Sequence, residues 1–368
     1  MKNLLSLIAI IVLVGFSACD VDEVLNPNSP TVESVEDGAT LADLRLLAVG
    51  VQAVQRVDMN FHFWTVSGTG REYFDMRGTD PRYTSELLGS NGSILDNNGF
   101  LTTRAFGGVY RTIRNANLLI QAVTNTTATL SDSERNAFLG FANTMIANEL
   151  LREGVRQFEN GMRIDVVDPF DPGPFTDSFQ QTLAEISTIL GDASDMLANT
   201  EPEDVLWALQ GFDTAGATDT EALFNWNRGL AARVALYQGN MQGAISAAQT
   251  ALSGMSGDLN SGVYVEYGGA TGNDLQNPFF FVPGVDFYMA HESFVDDAEA
   301  GDGRLSKVTE HPEVMIDNLS SRYIVTLVPS NSSPFPILRN EELILIMAEA
   351  NIGSVSYTHL TLPTICSV

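Results

Sequence analysis

Residues 61–98 of this chain set flat aromatic rings beside planar cations and carboxylates. Trp64, Tyr73, Phe74 and Tyr83 supply the rings; Arg71, Glu72, Asp75, Arg77, Asp80 and Arg82 supply hydrogen-bonding groups. That combination suits sugar recognition. A ring covers the apolar face of a pyranose while guanidinium and carboxylate groups meet its hydroxyls. Residues 254–333 add Tyr264, Tyr267, Phe287 and Tyr288. A loop aromatic serves as well to anchor the loop to its scaffold. The candidate ligand-contacting set is therefore Trp64, Arg71, Tyr73, Asp75, Arg77, Tyr83, Tyr264, Tyr267, Phe287 and Tyr288. Trp207 and Trp226 flank or lie on helical stretches and are assigned to the core.

Catalysis finds less support. Adjacent carboxylates occur at Asp296-Asp297 and Glu341-Glu342. A glycosidase needs two carboxylates about 5–10 Å apart across a cleft, and sequence neighbours point away from each other. No G-x-S-x-G, H-E-x-x-H or phosphate-binding loop is present. His62, His291 and His311 stand alone, and the acidic stretch 165–171 lacks the order of a calcium loop. No catalytic residue, metal or cofactor is expected.

Composition narrows the partners. The net charge is -27, from 46 acidic and 19 basic residues, with lysine only at Lys2 and Lys307. Such a surface repels phosphate backbones, so nucleic acid is not an expected partner. With 368 residues, 44% of them hydrophobic, the chain can bury a sizeable core.

The amino terminus reads as an export signal. Lys2 precedes an apolar run over 4–16, then Ser17, Ala18 and Cys19. The run is shorter than the roughly 20 apolar residues of a membrane-spanning helix. The cysteine after two small residues resembles a bacterial lipobox, with Phe16 where a leucine is usual, and Cys19 is the expected acylation site. An ordinary signal peptide with a chance cysteine is the alternative. The expected organisation is a signal peptide over 1–18, an acidic tether over 19–39, a helical domain over 40–353 and a tail over 354–368.

The elements that must position the aromatic residues are mostly helices. Apolar residues recur at helical spacing over 40–57, 101–123 and 177–197. Ser131 with Glu134 marks the start of a helix running to about Phe158. Two shorter helices, over 225–238 and 241–252, flank the turn Gly239-Asn240 and resemble a tetratricopeptide hairpin. An apolar helix follows Glu342. Residues 58–99 lose the helical period and are expected to be irregular. The same is expected of 254–333, with a few short strands.

The order of these features resembles the SusD/RagB family of outer-membrane nutrient-binding lipoproteins. The resemblance rests on Cys19, the helix at 110–117 (YRTIRNAN), the turn at 231–240 (AARVALYQGN) and Asp302-Gly303-Arg304. It rests most on 336–342 (PILRNEE) with Met347-Ala348-Glu349-Ala350. The resemblance implies a mainly α fold, with tetratricopeptide-like helix pairs forming a SusD-like scaffold under long irregular loops and a few short strands. It implies a lipid-anchored protein of the cell surface that captures an oligosaccharide or a peptide without chemistry. The captured nutrient would pass to a TonB-dependent outer-membrane barrel of the SusC type. A protein-interaction scaffold without a small ligand, or a lipid-anchored glycosidase, are the alternatives. The sequence departs from the family at its end. Residues 355–364 (VSYTHLTLPT) read like a translated sequencing adapter, which would make the tail and Cys366 foreign to the protein and leave the last helix pair incomplete.

Overall fold

A computed structural model describes residues 38–354 apart from 169, 214–217, 254–257, 269–274 and 283. The expected signal peptide, Cys19, most of the expected tether and the residues from 355 onward lie outside the described residues.

The chain builds a row of helices. Helix α1 (Leu41–Gln55) opens with a capping box between Thr40 and Asp43. Helices α2 (Met59–Gly70) and α3 (Arg82–Leu88) precede α4 (Phe100–Asn125). The expected start at Ser131 holds: its hydroxyl caps Glu134 N–H and the Glu134 carboxylate returns to Ser131 N–H in α5 (Asp132–Gln157). Helix α6 (Phe179–Leu197), then α7 (Asp219–Tyr237) and α8 (Met241–Ser253) continue the row, and α10 (Asn340–Ser354) closes it. The short α9 (Ser293–Asp296) lies among the strands. In space the packing order is α1, α4, α5, α6, α7, α8, α10, so each helix between the two ends buries one flank on its predecessor and one on its successor. This is the expected mainly α scaffold of tetratricopeptide-like pairs. One core runs through it, from Leu44 and Val51 through Phe138, Phe141 and Leu150 to Leu183, Trp226, Leu230 and Leu343. Trp207 packs into it against Phe138, ring centroids 4.7 Å apart. Among the described residues no helix is long and apolar enough to cross a membrane.

Residues 58–99 correct the expectation of an irregular segment, because α2 and α3 lie within them. Helix α2 shows no period because it is covered on opposite flanks. Phe61, His62, Thr65 and Ser67 are all buried, so no polar stripe marks a solvent face.

Two small antiparallel sheets sit beside the helices. Strands β1 (Phe74–Asp75), β4 (Tyr288–Ala290), β6 (Leu319–Val325) and β5 (Val308–Ile316) form one sheet in that spatial order. Strands β2 (Phe212–Asp213), β3 (Gly262–Val265) and β7 (Phe335–Arg339) form the other. Around β1, β4 and the end of β6 the first sheet buries both faces. Phe74, Met76, Met289 and Ile324 pack on one, and Tyr73, Tyr288, Ala290 and Val325 on the other.

Candidate functional site

Helix α2 brings the first ring into place. Phe61 and Trp64, three residues apart, share the flank that faces α3 and the first sheet, with ring centroids 5.3 Å apart. Left-handed residues bound the helix, Asp58 at φ 61° and Arg71 at φ 66°. The Asp58 carboxylate accepts from Arg104 and Arg111 of α4, which ties the entry of α2 to its neighbour.

The β1–β4 register then sets Asp75 opposite Tyr288. Asp75 folds back on Arg77. Its Oδ1 accepts from the Arg77 backbone N–H at 3.1 Å and from Nε at 3.0 Å, and its Oδ2 accepts from Nη2 at 2.6 Å. The guanidinium so held lies 4.6 Å from the Tyr288 ring centre, 5.6 Å from Trp64 and 5.7 Å from Tyr83. A second carboxylate, Asp286, stands 3.8 Å from its Nη1. Burial opposes the Arg77 charge, but the Asp75 hydrogen bonds and the surrounding groups hold its pKa above the ordinary value.

Asp80 and Arg82 repeat this turn, with the same three contacts at 2.9, 2.9 and 2.6 Å. Arg82 covers the Phe100 ring at 4.3 Å, and Arg104 covers Phe61 at 4.0 Å. Phe100 lies edge-on to both Phe61 and Tyr83. The result is one aromatic layer of Phe61, Trp64, Tyr83, Phe100 and Tyr288, on which three arginines rest, each paired with an aspartate.

Two polar tips within this layer have no hydrogen-bond partner among the described residues: the Trp64 indole N–H and the Tyr288 hydroxyl. Burial, then the Asp75 charge, raise the Tyr288 pKa, so the hydroxyl keeps its proton. Tyr73 supports Tyr288 from behind at 5.8 Å, and Phe281 stacks flat on it at 3.7 Å. Tyr73, Asp75 and Tyr288 are buried, whereas Trp64, Arg77 and Tyr83 reach the surface in part.

The structure thus gathers Trp64, Tyr73, Asp75, Arg77, Tyr83 and Tyr288 at one place. The other candidates lie elsewhere. Arg71 is exposed and donates Nη2 to Leu88 O at 3.0 Å. Phe287 faces the opposite layer of the sheet, with Phe74 and Met289. Tyr267 is buried beside Met59, its hydroxyl 3.7 Å from the Met59 sulfur. Tyr264 belongs to the second sheet and donates its hydroxyl to Asn260 O. Phe61, Asp80 and Arg82 of the cluster stand outside the ligand-contacting set although they lie in the same stretch of sequence, and Asp58, Phe100, Arg104 and Asp286 join them from beyond it. The tertiary packing of α2 on α4 and the loop before β4 bring in the last four.

No protein-family model matches this chain, and no curated protein matches its sequence. Solved structures do match its fold. A SusD superfamily protein from Bacteroides thetaiotaomicron aligns at a TM-score of 0.57 with 18% identity, over 86% of this chain and 76% of that one. A second SusD superfamily protein from the same organism gives 0.56 and 15%, over 85% and 76%. A SusD-like carbohydrate-binding protein from Bacteroides vulgatus gives 0.53 and 13%, over 84% and 71%. The protein has the SusD-like fold.

Proposed function

We propose that this protein is a cell-surface lipoprotein that binds an oligosaccharide at the aromatic–arginine cluster and passes it to a TonB-dependent outer-membrane transporter. One observation carries the location of the site. Trp64 N–H and Tyr288 O–H are unpaired hydrogen-bonding tips set between aromatic faces and an Arg–Asp pair. A buried donor without a partner destabilises by about 1–3 kcal/mol, and a sugar hydroxyl relieves that once the covered tips of Trp64 and Tyr288 shift to meet it. The Arg–Asp turns suit a diol, since the guanidinium donates to its oxygens and the carboxylate accepts from its hydroxyls. The SusD-like fold supports the ligand class, because a solved neighbour is a carbohydrate-binding protein. The role at the membrane rests on the lipobox-like sequence ending at Cys19. Two or more acyl chains would hold the protein stably on the membrane. A binding protein of this kind has no turnover of its own.

Retention on immobilised polysaccharides tests the ligand class. Trp64→Phe with Tyr288→Phe removes both polar tips and keeps an aromatic ring, smaller at position 64, at each place. The double variant is expected to fold and to lose retention. Retention of peptides alone would move the ligand class to peptide and keep the fold and role. Association with a barrel in the absence of any small ligand would favour the interaction-scaffold reading. Incorporation of a fatty-acid probe, lost in Cys19→Ser, tests the anchor.

A further inference from the structure

A second cleft lies on the other flank of α2, away from the aromatic–arginine cluster. It encloses about 350 Å³. Met59 and Phe63 of α2, Leu151 and Val155 of α5, and Phe335 and Ile337 of β7 give it apolar walls. Its polar lining is His62, Asn148, Arg152, Arg233 and Glu342.

Arg152 is the unusual member. More than nine-tenths of its side chain is buried, yet only Nη2 is paired, to Glu149. Its Nε and Nη1 have no partner among the described residues, and neither has Nδ1 of the buried His62 in the same lining. The neighbouring arginines are better served. Arg156 makes two contacts to Glu153 and one to Thr102 O, and Arg233 makes two to Glu342 and one to Ile337 O.

The charge of Arg152 is also only partly answered. Glu149 divides its oxygens among Arg152, Gln55 Nε2 at 3.0 Å and Asn148 Nδ2 at 2.9 Å. His62 does not compete for an anion's place, since burial, then Arg152 and Arg156, hold it neutral. The unpaired guanidinium nitrogens are covered by protein atoms, so an anion can reach them only if Arg152 turns toward the cleft. Glu149 keeps its two amide donors when that happens.

We infer that this cleft is a binding site for a small organic carboxylate with an apolar body. The carboxylate pairs with Arg152 through a charge-assisted hydrogen bond from its free Nη1. The apolar body lies against Phe63, Leu151, Val155 and Ile337. The inference does not depend on the oligosaccharide reading, since the two sites lie on different flanks of α2.

The test uses phenylacetate, with phenylacetamide as the uncharged control of the same shape. The chain has four histidines, so the His62 imidazole can be followed by NMR in the intact protein. Phenylacetate is expected to shift the His62 resonance saturably, and phenylacetamide to shift it at least about tenfold more weakly. Val155→Trp, at an exposed position on the cleft wall, is expected to abolish the response and leave the spectrum of the fold unchanged. Absence of a saturable shift with phenylacetate would overturn the inference, as would equal responses to acid and amide. An undiminished response in Val155→Trp would also overturn it.

Discussion

Arg77 is fixed from two directions, by Asp75 in the plane of its guanidinium and by Tyr288 across its face. Asp75 is buried, so removing the arginine strands a carboxylate away from water. Breaking a buried pair from one side costs about 3–5 kcal/mol. Arg77 is partly exposed, so Arg77→Ala is expected to cost about 2–3 kcal/mol in urea unfolding. The double variant Asp75→Ala/Arg77→Ala should cost less than the sum of the single variants, because each single change leaves one charge unanswered. Additive values would show that the pair does not act as a unit. His62 gives a second residue-scale prediction. Its folded pKa is lowered well below 6.5 by burial and by Arg152 and Arg156. The unfolded chain then takes up a proton first as pH falls, so this contribution to stability is present above about pH 6.5 and declines below it. The decline is at most about 1.4 kcal/mol per pH unit. It should be absent in His62→Gln. The difference between the two proteins isolates the imidazole from Glu149, whose carboxyl burial raises and which therefore acts with the opposite sign.

At the scale of elements, the helix starts are local and the site is not. Ser131 and Glu134 are three residues apart in sequence, and the capping box they form needs nothing else. Ser131→Ala is expected to lower stability by about 1 kcal/mol, read from the urea midpoint. The sequence of α2 carries no such signal. Its polar residues His62, Thr65 and Ser67 are buried as its apolar ones are, so alternation by face disappears where both flanks are covered. The aromatic and charged residues of 61–83 are visible as a group, yet which of them meet is decided by strand pairing. The β1–β4 register gives Asp75 to Tyr288, a pairing that no spacing in the sequence reveals, while Phe287, as the neighbour of Tyr288, takes the far face by alternation. Loop geometry is equally non-local at Gly161. Its φ is +70°, and a Cβ there would overlap the Thr176 carbonyl oxygen in the hairpin that ties 161–163 to 175–176. Gly161→Ala is expected to cost about 2–3 kcal/mol. A neutral outcome would show that the hairpin yields without loss.

For the whole molecule the governing quantity is charge. The three arginines over the aromatic layer are each paired with an aspartate, and Asp286 adds a further carboxylate. The cluster therefore offers no net cation to an anionic sugar, and the chain around it carries -27. A neutral polysaccharide should be retained better than one built from uronic acids or bearing sulfates, most clearly at low salt, where the field of the protein reaches furthest. The same excess of carboxylates repels itself within the folded chain. Screening shortens the reach of each charge from about 10 Å at 0.1 M salt to about 3 Å at 1 M. Thermal unfolding followed across that range should show Tm rising with sodium chloride, while retention of the neutral polysaccharide stays nearly constant. A Tm that is flat or falls with salt would mean that the paired arginines, rather than the unpaired carboxylates, dominate the electrostatics of the fold. Loss of neutral-sugar retention with salt would mean that exposed charges, rather than ring faces and hydrogen bonds, hold the ligand.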